Sequence, residues 1–288
     1  MQALCAKNHN FNLILYHASC ADGFGAAYAA WCALGDTAEY IACRHGDPPP
    51  DVKGRRVLVV DFSFSRETTI RLNEDAEFFM ILDHHKSAMD ELCDLPYAYF
   101  NMEHSGAMLA WKFFHPTVEP PMLISYIEDR DLWKWELPFS REFSAALDLV
   151  PFSFEEYKKL EFEPALYDFI KRGMAINEYI ERQVKNICKS PVTCEIKGYE
   201  DQKAVIVNSS RWHSEIGSYL VNHYCDVGII WSHDHLQNKI KVSLRSRSHE
   251  NDVSLIAKSF GGGGHAQASG FAIDLDTQRL EDFFNEIT

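Results

Sequence analysis

Apolar residues gather along this chain in short blocks separated by polar punctuation. Residues 11–16 (FNLILY), 56–60 (RVLVV) and 78–82 (FFMIL) are compact apolar runs, the pattern of strands buried on both faces of a parallel sheet. Helical stretches alternate with them: 25–34, rich in Ala and aromatics, and 65–76, with Ser65 as its N-cap. Strands alternating with helices in this rhythm predict an α/β fold with a parallel sheet. Helical patterning returns at 105–114 and 121–126, whereas 151–160 is polar, aromatic and irregular. Residues 166–187 place Phe169, Ile170, Met174, Ile176, Ile180, Val184 and Ile187 mostly at helical spacing. That helix should stop before Ser190-Pro191, because the residue preceding a proline is biased away from helix.

Beyond Pro191 the character changes. Residues 192–196, 204–207, 227–231 and 240–244 read as strands, and 215–223 as a helix. A Gly-rich turn at 261–264, a strand at 270–273 and a closing helix at 280–287 follow. The organisation expected is therefore an N-terminal domain over 1–165, a linker helix over 166–190 and a smaller α/β domain over 191–288.

The 288 residues carry 46% hydrophobic and 24% charged side chains, enough for two cores without structural disulfides or metals. With 28 basic against 42 acidic residues the net charge is −14. Such a field repels a long polyanion, so a phosphate-containing ligand should be small and gripped locally. Eight cysteines contain no C-x-x-C pair. The first ten residues lack the apolar run of a signal peptide, and no stretch approaches the roughly 18 apolar residues of a membrane helix. A cytoplasmic protein with reduced thiols and no membrane partner is the expectation, and a homo-oligomer is compatible with it.

Three predicted strands each deliver metal-type residues near their C-terminal ends: His17, then Asp61, then Asp83, His84 and His85. In open parallel sheets those ends face the crevice where ligands bind. Asp22, on the turn leaving the first strand, can reach the same place, and Asp129 and Asp131 add carboxylates. Carboxylates with imidazoles suit divalent ions such as manganese. Two such ions roughly 3.5–4 Å apart would activate water and steady a phosphoryl group. Singly, each residue is explained by a turn or a satisfied core histidine. Jointly, at successive strand ends, they point to a metal site.

These residues resemble the DHH/DHHA1 phosphoesterases, named after the triplet at Asp83, His84 and His85. The likeness includes H-x-x-C-x-D-G from His17 to Gly23, V-V-D ending at Asp61, Asp129 in IEDRDLW, S-L-R-S from Ser243 to Ser246, and GGGGHAQASGF from Gly261 to Phe271. It implies a parallel-sheet DHH domain joined by a helical linker to a DHHA1 domain, with the active site in the interdomain cleft. It implies two Mn2+ ions, with Mg2+ or Co2+ as alternatives. His17 and Asp61 would hold the first ion; Asp22, Asp61, His84 and Asp129 the second, making Asp61 the shared ligand. Asp83 and His85 would support the site or touch the phosphate, and the nucleophile would be a bridging hydroxide. Many family members have Asp where this chain has Cys20, which leaves Cys20 as a further candidate ligand, and Asp131 competes with Asp129.

In the C-terminal part, Gly262, Gly263 and Gly264 let backbone approach a ligand, and His265 can donate to a phosphate oxygen. Arg245 and Arg247, at alternate positions, would point the same way on a strand and suit bidentate phosphate contact. Trp212, Tyr219 and Trp231 are candidates for stacking on a base, although core packing is the commoner role of such residues. The substrate expected is a short oligonucleotide or linear dinucleotide, cleaved to mononucleotides, with no long duplex as partner. A cyclic-dinucleotide phosphodiesterase, a 3′,5′-bisphosphonucleotide phosphatase and a non-catalytic nucleotide sensor are the alternatives.

Overall fold

A computed structural model describes residues 10–161, 163–248 and 250–286. The chain divides into two compact units, 1–177 and 178–288.

In the first unit, β1 (Leu13–His17), β2 (Glu39–Cys43), β3 (Arg56–Val60), β4 (Phe78–Asp83) and β5 (Ala98–Phe100) form one parallel sheet in the order β2-β1-β3-β4-β5. Side chains alternate between its two faces. Leu13, Leu15, Val57, Val59, Phe79 and Ile81 enter one core, and Ile14, Leu58, Val60, Met80 and Leu82 enter the other. Both faces are dry, which is why these strands read as unbroken apolar runs. Helices α1 (Ala21–Leu34), α4 (Gly106–Phe114), α5 (Met122–Asp131) and α6 (Ser140–Leu147) supply the second of those cores. Helices α2 (Arg66–Asp75) and α3 (Lys86–Leu92) contribute Leu72 and Leu92 to the first. Ser65 caps α2 as expected, its hydroxyl accepting the Thr68 N–H at 3.4 Å. The stretch read as irregular contains α7 (Phe154–Lys159), capped by Ser153 and anchored by fully buried Tyr157.

Strand order decides where a ligand can sit. From β1 the chain moves to one side to make β2, then crosses back to make β3 on the other side. Between β1 and β3 the order in which strands are added therefore reverses, the topological switch point at which ligands of open α/β sheets bind beyond the strand C-termini.

Helix α8 (Glu163–Ile187) contains the division between the units. The second unit has a seven-stranded sheet ordered β10-β11-β9-β8-β7-β6-β12, from β6 (Val192–Ile196), β7 (Ala204–Asn208), β8 (Val227–Asp234), β9 (Lys239–Ser246), β10 (Gly263–His265), β11 (Ala268–Asp274) and β12 (Phe284–Glu286). Its pairings are antiparallel except β7 with β8. Helices α9 (His213–His223) and α10 (Val253–Ser259) complete it.

Two expectations are corrected here. The closing helix over 280–287 is instead a single turn at Leu280–Asp282 followed by β12, whose Phe284 pairs with Ile196 on β6; residue 287 lies outside the described residues. The Gly-rich turn is in part a strand, with Gly263 paired to Gly270. Among the described residues no helix is long and apolar enough to cross a membrane.

Candidate metal centre

β1 ends at His17 and the chain turns abruptly into α1. A Cβ on Gly23 would lie 2.2 Å from the His17 carbonyl oxygen, so the tight return requires glycine. Cys20 caps α1, its Sγ accepting the Gly23 N–H at 3.1 Å. Asp22, in the first turn, is buried. Its two oxygens accept the N–H groups of Gly106 at 2.6 Å and Ala107 at 2.9 Å, at the N-terminus of α4. Those donors and the helix dipole suit a carboxylate.

β3 hands over to Asp61, only 1% exposed and held at φ +53°, a conformation that costs a non-glycine residue roughly 1–3 kcal/mol. Its N–H is fixed by the Leu82 carbonyl at 3.0 Å. A Cβ on Gly106 would stand 2.4 Å from the Asp61 Cβ, so Asp61 lies directly on the start of α4.

β4 ends at Asp83, whose carboxylate organises the residues after it. Oδ2 accepts the Ser63 hydroxyl at 2.6 Å; Oδ1 accepts the His84 N–H at 2.7 Å and meets His85 Nδ1 at 2.7 Å. The last contact places the Nδ1 proton of His85 toward Asp83 and fixes the ring.

The side chains converge on two sets of donor atoms. His84 Nε2 lies 3.1 Å from Asp61 Oδ1, 3.4 Å from Asp22 Oδ2 and 3.6 Å from Asp131 Oδ2. Asp61 Oδ2 lies 3.7 Å from His17 Nδ1 and 3.6 Å from Cys20 Sγ, and that sulfur is 3.6 Å from His17 Nδ1. Each oxygen of Asp61 thus serves a different set. His17, Cys20 and Asp61 form one compact donor group; Asp22, His84 and Asp131 form another.

The electrostatics are those of a site prepared for a cation. Burial, then the charges of Asp131 and Asp61, pushes the Asp22 carboxyl well above its ordinary range. Burial raises Asp131 also. Burial would raise Asp61, but the imidazoles of His17 and His84 beside it hold it well below. His84 is raised well above an ordinary imidazole: burial opposes this, and Asp61, Asp131 and Asp22 overcome it.

Most of the residues read from sequence meet here: His17, Asp22, Asp61, His84 and the candidate Cys20, with Asp83 and His85 beside them. Asp129 does not. Two positions apart on α5, Asp129 and Asp131 cannot share a face. Asp129 is buried, and its oxygens accept the N–H groups of Glu136 at 2.9 Å and Leu137 at 3.3 Å, so it organises the loop after α5. Asp131, at the end of the helix, joins His84 instead. Sequence reasoning also missed Ser105-Gly106, which cap and begin α4 and support Asp22 and Asp61. It missed Arg44 and His45 as well: Arg44 donates to the Ser19 hydroxyl at 3.2 Å, and His45 stacks on Phe62 with its ring 5.8 Å from His17. These two follow β2, a strand not foreseen; their signal was the basic pair itself.

In the second unit, Arg245 lies on β9 against α9. Its Nη2 donates to the Ser214 hydroxyl at 2.9 Å, and burial lowers its guanidinium to about 10. Arg247 falls past the end of β9 and is exposed, so the two arginines do not share a strand face. Gly262 and Gly264 are explained within the chain: a Cβ would lie 2.1 Å from the Gly270 carbonyl at the first and 2.7 Å from the Ala268 carbonyl at the second. His265 ends β10, its carbonyl accepting the Ser269 hydroxyl at 2.6 Å. Tyr219 stacks on His223 at 4.0 Å, Trp212 meets Tyr179 edge-on, and Trp231 packs on the core.

Sheet order and donor sets together define an α/β protein with a carboxylate–imidazole–thiol centre at its switch point. The chain is a relative of the DHH/DHHA1 phosphoesterases, and residues 202–288 match the family model described as DHHA1 domain. It is 29% identical to the uncharacterized protein R106 of Acanthamoeba polyphaga mimivirus, over 92% of this chain and 69% of that protein. It is 26% identical to oligoribonuclease NrnB of Bacillus subtilis (strain 168), over 78% of this chain and 61% of that protein. Among solved structures, it shares its fold with the DHH domain of a member of the s1p family of ribosomal proteins, with a TM-score of 0.52 at 15% identity, over 94% of this chain and 84% of that one.

Proposed function

We propose that the protein is a metal-dependent phosphoesterase that hydrolyses short oligonucleotides or linear dinucleotides to mononucleotides. The observation that carries this reading is Asp61, whose two oxygens face two separate donor sets. Three carboxylates around one imidazole fit divalent ions, since the group is crowded with like charge that only a cation or bound protons can offset. His17, Cys20 and Asp61 would hold one ion; Asp22, Asp61, His84 and Asp131 the other. Such ions, when bound, lower the pKa of water and offset charge gathering on a phosphoryl group.

The chain's own residues supply the rest. Asp83 orients His85 and holds its imidazole above the ordinary range despite burial, suiting it to donate to a phosphate oxygen. Arg44 and His45 would meet the substrate at the rim. In the second unit Arg245, Arg247 and His265 are the candidates for holding phosphate. The kinship with an oligoribonuclease supports nucleotide phosphoesters as the substrate class, and the −14 charge favours small substrates over long strands.

The test is a panel of RNA dimers, longer RNA, a cyclic dinucleotide and 3′,5′-bisphosphoadenosine with Mn2+, beside an Asp61→Ala control. Manganese-dependent loss of dimers, absent in the control, is the expected result. Brisk cleavage of 30-mers with dimers untouched would overturn the substrate assignment. Silence across the panel with ions bound would overturn the enzymatic one.

A further inference from the structure

Cys20 is the donor that hard-ion chemistry leaves unexplained. Ser, Thr, Asp and Asn are the preferred N-caps, and any of them would accept the Gly23 N–H that Cys20 accepts. Capping α1 gives no reason for sulfur at this position. The neighbouring donors do. Cys20 Sγ is 3.6 Å from His17 Nδ1 and 3.6 Å from Asp61 Oδ2, and those two atoms are 3.7 Å apart, a nearly equilateral triangle. A tetrahedral dication, with bonds of about 2.3 Å to sulfur and about 2.0–2.2 Å to nitrogen and oxygen, sets adjacent ligands roughly 3.4–3.6 Å apart. Octahedral Mg2+, bonded at about 2.0–2.1 Å, sets them roughly 3 Å apart. The three donor atoms are close enough to share one ion, and the sulfur among them suits a softer, tetrahedral one.

The second donor set differs in kind. Asp22, Asp131 and Oδ1 of Asp61 surround a single imidazole, giving oxygens in the majority and no sulfur. Oxygen-rich sets suit hard ions, and a thiolate draws softer ones.

We propose that the centre is chemically asymmetric: His17, Cys20 and Asp61 form a tetrahedral subsite for a zinc-class dication with one position left open, while Asp22, Asp61, His84 and Asp131 form a subsite for a hard ion such as Mn2+ or Mg2+. This rests on the two-metal reading above. The protein would then work with a mixed pair, and Mn2+ alone would load the two subsites unequally.

The experiment uses the full chain stripped of metal, as wild type, Cys20→Ser and Cys20→Asp; both variants keep an oxygen acceptor to cap α1. Zn2+ and Mn2+ affinities are measured by competition titration, and Co2+ serves as a spectroscopic substitute for Zn2+. Wild type should show a sulfur-to-cobalt charge-transfer band in the near ultraviolet that both variants lack. Cys20→Ser should weaken Zn2+ by at least about a hundredfold while leaving the tighter Mn2+ site within a few-fold. Cys20→Asp should weaken Zn2+ and bring the second Mn2+ closer in affinity to the first. A cobalt-loaded wild type without the band, or equal Zn2+ affinity in wild type and variants, would overturn the asymmetry and leave two-ion binding standing. Failure of wild type to bind any of these ions would overturn both. If Cys20→Ser does not fold, the wild-type band and Cys20→Asp still decide.

Discussion

At the scale of the residue, the ionisable groups of the site are shifted in opposite directions. His84 sits above its ordinary value and Asp22 well above its own, so both favour the folded state when protonated. The stability His84 contributes is complete below an ordinary imidazole value and fades as pH rises through its raised one. Asp22 begins to cost stability once pH passes the ordinary carboxylate range, because the unfolded chain ionises first. Asp61, held low, contributes stability that is lost only in strong acid. The ion-free melting temperature should therefore fall as pH is raised from about 5 to about 9, and saturating Mn2+ should flatten that slope. Calorimetry in buffers of different ionisation enthalpy should show protons released on metal binding at neutral pH; no release would refute the assignment of protons to His84 and Asp22. Asp129 and Asp131 separate by the same logic. Asp131→Asn should weaken metal by about tenfold or more with little change in ion-free stability. Asp129→Ala should cost about 1–3 kcal/mol by stranding the Glu136 and Leu137 N–H groups, measured by denaturant unfolding with chelator present.

At the scale of the element, the start of α4 is the part on which the others lean. Gly106→Ala would drive a methyl into Asp61, so an overpacking cost of about 1–3 kcal/mol is expected together with weakened metal binding. An equal-sized change at Ala110, buried in the same helix but away from the centre, should lower the melting temperature and spare the affinity. Much of this was legible beforehand. β1, β3 and β4 announced themselves because both of their faces are buried, and the residues ending them could be placed at one crevice. β2 did not, since Glu39, Tyr40, Ile41 and Ala42 are all at least partly exposed on an edge and carry no clean period. β12 failed for another reason: three residues offer too little pattern, and the adjacent Phe283 and Phe284 are both buried. The choice between Asp129 and Asp131 was hidden by helix length. The helix expected over 121–126 runs on to 131, and only the full turn count shows which of two nearby carboxylates faces His84.

At the scale of the whole molecule, the two units have separate cores, and the metal donors argued above all belong to the first. Adding Mn2+ should therefore slow amide exchange at the β1–α1 turn, around Asp61, at Asp83–His85 and at the start of α4, while the core strands β7 and β8 keep their ion-free rates. Uniform protection across both units would contradict a centre confined to the first.

The switch point has a consequence for timing. Its donors come from stretches around residues 17–22, 61, 83–85 and 131, and they meet only once β1, β3 and β4 lie side by side. A newly made or denatured chain offers an ion only local fragments, His17 with Cys20 and Asp83 with the two histidines after it, so the complete set forms only with the sheet. During refolding the cation should be the last component to enter, at a pace governed by sheet assembly and indifferent to how much metal surrounds the chain.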